Sequence, residues 1–170
     1  MDQPLVGILM GSDSDLPIME DVTSTLNQLQ IAFEISICSA HRSPEKSAQY
    51  AKSAEERGIK VLIAGAGAAA HLAGALAAHS LLPVIGIPLS SSPLHGLDAL
   101  LSTAQMPAGV PVATMALDRA GARNAAILAA QILALRDPRL AARLRGLKEK
   151  MAEEIDEKDR QMKRTKEKGA

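Results

Sequence analysis

The sequence predicts an α/β protein in which helices cover both faces of a parallel sheet, a three-layer arrangement. Short apolar runs alternate with longer segments of helical periodicity, which is the pattern of repeated βαβ units. The apolar runs are continuous rather than alternating, as in strands that are buried on both faces. The chain has 170 residues, 47% of them hydrophobic, which suits one domain with a substantial core.

Five apolar runs bounded by polar or turn residues are predicted to be strands. They lie at residues 5–10, 33–38, 60–64, 83–87 and 112–115. Predicted helices follow them at about residues 16–29, 44–54, 70–80, 97–104 and 120–135. Ligands of such sheets bind beyond the carboxyl ends of the strands. The loops expected to face one cleft are therefore 11–15, 39–44, 65–74 and 88–95.

A separate amphipathic helix is predicted at the C-terminal end, after Asp137-Pro138 breaks the helical pattern. Its apolar residues recur at spacings of three and four, at Leu140, Leu144, Leu147, Met151 and Ile155. We expect residues 1–136 to form the α/β domain and residues 137–170 a helical extension, with a frayed or disordered end from about 159. The apolar stripe needs a surface to cover, either on its own domain or on a neighbouring subunit.

The composition excludes several classes of protein. The chain has no Trp, one Tyr and one Phe, so small aliphatic side chains must build the core, and oligomerisation would add buried area. Residues 139–170 carry 11 Lys and Arg against 7 Asp and Glu, which favours a solvated helix face over a nucleic-acid arm. Basic clusters with aromatic platforms, typical of nucleic-acid binders, are missing.

The sequence also favours a cytoplasmic protein. No apolar run reaches transmembrane length, and no basic leader precedes the first strand. The single cysteine, Cys38, cannot form an internal disulfide and is expected to be a buried small hydrophobe. The sparse His and Cys offer no convincing metal site, and neither a dinucleotide fingerprint nor a Walker loop is present.

Two of the predicted loops carry polar side chains suited to an anion. In the first, Gly11 permits a tight turn, while Ser12, Ser14 and a helix N-terminus offer donors and Asp15 can accept from sugar hydroxyls. Helix capping by Ser and Asp is the alternative, and both roles can coexist.

The second loop, residues 39–44, contains His41 and Arg42. Arg42 can bind phosphate bidentately, and His41 can carry a proton near neutral pH. A surface loop with a chance His is the alternative there.

The third and fourth loops are less specific. Residues 64–74 are nearly all Gly and Ala, so a flat ligand could lie against the backbone, or helix and strand could simply pack closely. His71 opens the next helix and could line the site. Residues 88–96 and 105–111 are rich in Pro, Ser and Gly and could form stiff walls. His79 and His95 are expected to have no chemical role.

Together and in this order, these segments resemble the PurE family, the N5-carboxyaminoimidazole ribonucleotide (N5-CAIR) mutases. The matching segments are Gly11–Asp15, Ser39–Pro44, Ala64–Gly74, Gln105–Pro111 and Ala120–Leu133. The resemblance implies a flavodoxin-like fold, an octamer, and conversion of N5-CAIR to 4-carboxy-5-aminoimidazole ribonucleotide (CAIR) in purine biosynthesis. It implies no cofactor, and a small-molecule substrate with CO2 as a transient species.

The resemblance also assigns roles to residues. His41 would be the acid and base in decarboxylation of the substrate and recarboxylation at C4. Ser12, Ser14, Asp15 and Arg42 would bind the ribose phosphate and its hydroxyls. The other substrate-binding positions would be Gly11, Ser39, Ala40, Gly67, Ala70, His71 and Leu72.

The chain departs from the family pattern at Ala73, where Pro is usual, and at Leu117-Asp118-Arg119, which replaces an apolar–Gly–basic stretch. Three other functions remain open. Carboxylation of aminoimidazole ribonucleotide (AIR) by CO2 is the nearest, but that branch usually carries Lys where Arg42 stands. A non-catalytic nucleotide-binding domain and a flavin carrier are the others.

Overall fold

A computed structural model, which describes residues 3–168, contains a five-stranded parallel sheet with the order β2-β1-β3-β4-β5. The strands are β1 (Val6–Met10), β2 (Phe33–Ile37), β3 (Val61–Gly67), β4 (Val84–Leu89) and β5 (Ala113–Thr114). All five predicted strands are present, although β5 is only two residues long. Successive strands are added on one side of β1 and then, from β3 onwards, on its other side, as in flavodoxin-like folds. Such a switch point between β1 and β3 creates a crevice in which a ligand can bind.

Within residues 3–168, six α-helices connect and flank the strands. They are α1 (Leu16–Gln28), α2 (Pro44–Ala54), α3 (Leu72–His79), α4 (Leu97–Ala104), α5 (Asp118–Ala134) and α6 (Pro138–Lys168). One core cluster joins α1 and α5 to one face of the sheet, and a second joins α2 and α3 to the other. The predicted three-layer α/β sandwich is therefore confirmed.

The core is built from small and aliphatic side chains, as the composition predicts. Along α5, the buried face consists of alanines, including Ala122, Ala126 and Ala130, all fully buried. Such small side chains let this helix approach the sheet and α1 closely. Close approach is extreme at Gly121, where an added β-carbon would collide with the carbonyl oxygen of Ala116.

The expectation that every strand is buried on both faces is wrong for β2. Ile35 and Ile37 are 45% and 47% exposed. The reason is topological, because β2 lies at the edge of the sheet and pairs only with β1. Cys38, which directly follows this strand, is buried as predicted.

The first half of α6 packs on its own domain. Leu140 is buried, and Leu144 and Leu147 pack against the cluster that contains α5. Met151 and Ile155 continue the stripe but are exposed. The helix extends to Lys168, so residues 159–168, which we expected to be disordered, are helical, and residues 169–170 lie outside the described part. Among the helices of residues 3–168, none is both long and apolar enough to cross a membrane.

Candidate functional site

A cavity of about 320 Å³ lies at the carboxyl edge of the sheet. Loops that follow four successive strands of the chain line it. Its lining residues are Gly11, Ser12, Ser14, Asp15, Ser39, Ala40, His41, Arg42, Ala66, Gly67, Ala69, Leu72 and Ser91. The prediction that these four loops face one cleft is confirmed.

The loop after β1 is a rigid turn. Ser12 Oγ accepts the Ser14 N–H at 3.4 Å, and Asp15 Oδ2 accepts the Ser12 N–H at 3.1 Å. These two bonds form a reciprocal capping box, so the capping interpretation is confirmed for this turn. Burial raises the pKa of the Asp15 carboxyl, against the opposing effect of backbone amides at Ser12 and Gly11 and of the Arg42 charge.

The loop after β2 is held by its own serines and joined to the first loop by Arg42. The Arg42 N–H donates to Ser39 Oγ at 3.1 Å, and the Ser39 N–H donates to Ser43 Oγ at 3.1 Å. The Arg42 guanidinium donates to the Gly11 carbonyl at 2.9 Å. This bond uses one of its five N–H groups, so the others can receive an anion. Among the ion pairs found within residues 3–168, none involves Arg42.

His41, which lines the cavity, is joined to His71, which lies just before α3. His41 Nε2 and His71 Nδ1 are 2.8 Å apart, and the rings meet edge to face with centroids 5.0 Å apart. One nitrogen must donate and the other must accept, so the bond holds at most one shared proton at a time. The imidazole of His41 is exposed to the cavity and is thus available to a bound molecule.

Residues 65–67, which were predicted to begin the Gly/Ala loop, are instead the end of β3. This backbone is closely packed, because a β-carbon at Gly67 would collide with Ser91 Oγ across the cavity and one at Gly65 would collide with the buried Met19 side chain of α1. Ala68 has a positive φ of 51°, which turns the chain towards α3. Close packing and exposure of backbone to the cavity, the two interpretations left open above, therefore both apply to this loop.

All but two of the predicted site residues line the cavity. Ala70 is 1% exposed and packs in the interior, and His71 reaches the site only through its bond to His41. Sequence reasoning did not assign Ala66, Ala69 or Ser91, which also line it. Ser91 could have been found, because it lies two residues after the end of β4, in a loop that was predicted to face the cleft. Residues 3–168 contain no group of three or more His, Cys, Asp and Glu side chains placed to hold a metal ion.

Comparison with known proteins identifies the family. The model of the family described as AIR carboxylase matches residues 5–154. An N5-carboxyaminoimidazole ribonucleotide mutase of Pyrococcus horikoshii is 52% identical over 161 residues, 95% of this chain and 90% of that protein. The mutase of Bacillus subtilis is 51% identical over 160 residues, 94% of this chain and 99% of that protein.

Solved structures agree with the sequence comparison. The crystal structure of Treponema denticola PurE superposes with a TM-score of 0.84 at 33% identity, covering 93% of this chain and 98% of that one. The chain belongs to the AIR carboxylase family.

Proposed function

We propose that this chain is an N5-CAIR mutase, which moves a carboxylate from nitrogen to C4 of the aminoimidazole ring in the synthesis of IMP. The observation that carries the proposal is the 2.8 Å contact between His41 and His71 beside Arg42 and the Ser12–Asp15 turn. Proton-transfer groups and a phosphate-binding group thus share one cavity. The two mutases named above, which are 52% and 51% identical to this chain, support the same reaction.

Arg42 and the first turn are the proposed phosphate and ribose site. The free N–H groups of Arg42 suit two phosphate oxygens, and the hydroxyls of Ser12 and Ser14 lie on the same cavity. The Asp15 carboxylate accepts from ribose hydroxyls. The aminoimidazole ring of the substrate then lies against the Gly/Ala segment at the end of β3. Gly11, Ser39, Ala40, Gly67 and Leu72 complete this proposed site, and His71 joins it through His41.

The proposed mechanism cycles one proton through His41. Protonated His41 donates to the carboxylated nitrogen, the C–N bond breaks, and AIR and CO2 remain in the cavity. C4 then attacks CO2 through the electron pair of the enamine, and a C–C bond forms. Neutral His41 removes the C4 proton, which restores the aromatic ring and the starting state of the enzyme. His71 accepts or donates at the other side of the shared bond and keeps the His41 ring oriented.

Retention of CO2 makes its recombination effectively intramolecular. Such positioning can contribute roughly 7–11 kcal/mol in favourable cases. The reaction as written moves one CO2 molecule and one proton, so it requires no metal, redox cofactor or ATP. The proposed partner is therefore the small-molecule substrate, with CO2 as a transient species.

The test is conversion of freshly prepared N5-CAIR to CAIR, compared in the same buffer with AIR plus bicarbonate. Fast turnover of N5-CAIR, with use of AIR only at very high bicarbonate, is the expected result. Efficient use of AIR with CO2 would instead assign the chain to the carboxylase branch. No reaction with either substrate would leave a non-catalytic nucleotide-binding domain, and a yellow purified protein would point to a flavin carrier.

The proposal includes a homo-octamer in the cytoplasm. Exposed leucines support association, since Leu81 is 96% and Leu94 is 61% exposed in the single chain. Residues 1–136 form the proposed mutase domain and residues 137–170 the extension. A cytoplasmic location suits a phosphorylated substrate, which does not cross membranes freely. Light scattering should give several protomers per particle, and a stable monomer would contradict the assembly.

A further inference from the structure

Asp118, the first residue of α5, has a left-handed backbone conformation with φ of 55°. Residues with a β-carbon rarely adopt this region, although Asp and Asn tolerate it better than most. Such a conformation persists only where surrounding contacts hold it. The contacts of Asp118 therefore show what the conformation serves.

Both carboxylate oxygens of Asp118 bind the residue that follows β4. Asp118 Oδ1 accepts the Ser90 N–H at 2.8 Å, and Asp118 Oδ2 accepts the Ser90 hydroxyl at 2.5 Å. Hydrogen bonds to an ionised carboxylate are stronger than those between neutral groups. They fix both the backbone and the side chain of Ser90, which directly precedes Ser91 of the cavity wall.

The start of α5 is itself anchored, so it can serve as a fixed support. Arg119 Nη1 lies 2.8 Å from Asp21 Oδ2 on α1. At the far end of the Ser90–Gly96 loop, Gly96 packs so closely that an added β-carbon would collide with Leu117 and lie 3.2 Å from Ser90. Both ends of this loop therefore meet the first turn of α5.

We propose that Asp118 is a positioning residue that holds Ser91 against Gly67 and so completes the fourth wall of the nucleotide cavity. The contact at Gly67, which leaves no space for a β-carbon beside Ser91 Oγ, shows that this wall closes on the end of β3. The inference rests on the proposed function, because it concerns binding of that substrate. Ser91 carries no group that exchanges protons at neutral pH, so its placement affects binding rather than chemistry.

The decisive variant is Asp118→Gly, which removes the carboxylate but suits the positive φ, so the fold is expected to persist. Loss of these hydrogen bonds should raise the KM for N5-CAIR by about three- to tenfold, while kcat changes by less than about twofold because uniform binding is lost. The Kd for CAIR, measured by titration calorimetry, should rise by the same factor. A purely structural role would not separate KM from kcat in this way.

A conservative variant and a matched control complete the test. Asp118→Asn keeps an acceptor for the Ser90 N–H and tolerates the backbone conformation, so it should restore most of the lost affinity. Asp137→Ala is the control, because Asp137 likewise accepts two hydrogen bonds, in its case from the backbone amides of Arg139 and Leu140 at the start of α6, and does not line the cavity. Its KM and Kd should equal those of the parent.

Three results would overturn the inference. They are a parental KM and Kd in Asp118→Gly, equal losses in Asp118→Asn and Asp118→Gly, or the same loss in Asp137→Ala. A parent protein that converts N5-CAIR while Asp118→Gly is unchanged contradicts this inference alone. A parent that neither converts N5-CAIR nor binds CAIR contradicts the proposed function, and the inference with it.

Discussion

The two edges of the sheet carry cavities that differ in size and in chemistry. The carboxyl-edge cavity has a volume of about 320 Å³ and contains His41, Arg42 and the Ser12–Asp15 turn. A cavity of about 760 Å³ lies at the amino edge, between the end of α3, the start of β4 and residues 109–111. Its wall is largely apolar and includes Leu81, the most exposed leucine of the core domain.

Helix α3 connects the two edges and shows how they differ. His71 lies just before its first residue and bonds to His41, whereas His79 is its last residue and lines the amino-edge cavity. Loops at the carboxyl edge lead into helix N-termini, whose free N–H groups favour anions, while carbonyl groups end the helices at the other edge. The comparison shows that convergent polar groups, rather than volume, identify the chemical site.

The largest expected effect comes from replacing the histidine at each edge of the sheet by asparagine. His41→Asn should keep the fold and CAIR binding but lower mutase kcat by about 10²- to 10⁴-fold, because the acid and base is removed. His79→Asn, at the amino edge, should leave kcat and KM unchanged. Steady-state kinetics with N5-CAIR and titration calorimetry with CAIR provide the measurements. Near-normal turnover in His41→Asn would remove this histidine from the acid and base role.

A smaller effect is expected from removing the positively charged side chain at each edge of the sheet. Arg42→Ala should raise the KM for N5-CAIR by about 10- to 100-fold, the usual consequence of losing hydrogen bonds to a charged group, with a smaller change in kcat. Lys52→Ala, which alters the amino-edge cavity, is the matched control and should behave as the parent. If both substitutions weakened binding equally, phosphate would not be located at the carboxyl edge.

The amino-edge cavity is expected to matter for assembly instead. Replacing Leu81 by Asp places a charge on an exposed apolar wall, and loss of a buried leucine at each contact costs about 1.5–3 kcal/mol. Light scattering should then show smaller particles at equal concentration. Leu135→Asp, which changes another exposed leucine outside both edge cavities, is the comparison. An unchanged particle size in Leu81→Asp would exclude this edge from the subunit interface.

The smallest expected effect concerns stability and pH at the carboxyl edge. Burial raises the pKa of the Asp15 carboxyl in the folded chain above its ordinary value, so the unfolded chain loses this proton first as the pH rises. The stability contributed by Asp15 is therefore full below the unfolded pKa and declines as pH rises through the folded pKa. Asp15→Asn lacks this dependence. Denaturant unfolding across that range should show the parent losing stability relative to the variant, and a constant difference would contradict the assigned shift.

Much of the fold and most of the site could be predicted from local patterns. Continuous apolar runs and helical periodicity located each β-strand and α-helix of residues 3–168, because the two periodicities differ and Gly and Pro separate them. The short 3-10 helix at Asp13–Asp15 was not predicted, and β3 runs three residues beyond its predicted end. The polar loops were identified as one cleft because parallel strands present all their carboxyl ends at one edge. The exposure of Ile35 and Ile37 was not predicted. The hydrophobicity of a strand does not indicate whether it lies at the centre or at the edge of the sheet, and β2 lies at the edge.

The sequence alone determined the α/β class, the loops that line the candidate site and the family resemblance, because these depend on residue type and spacing along the chain. Only the tertiary structure decided the 2.8 Å contact of His41 with His71, which lie 30 residues apart. It also decided the bonds of Asp118 to Ser90, 28 residues away. Such contacts depend on how separate loops meet in space, and close packing of the helices against the sheet sets the distance between those loops.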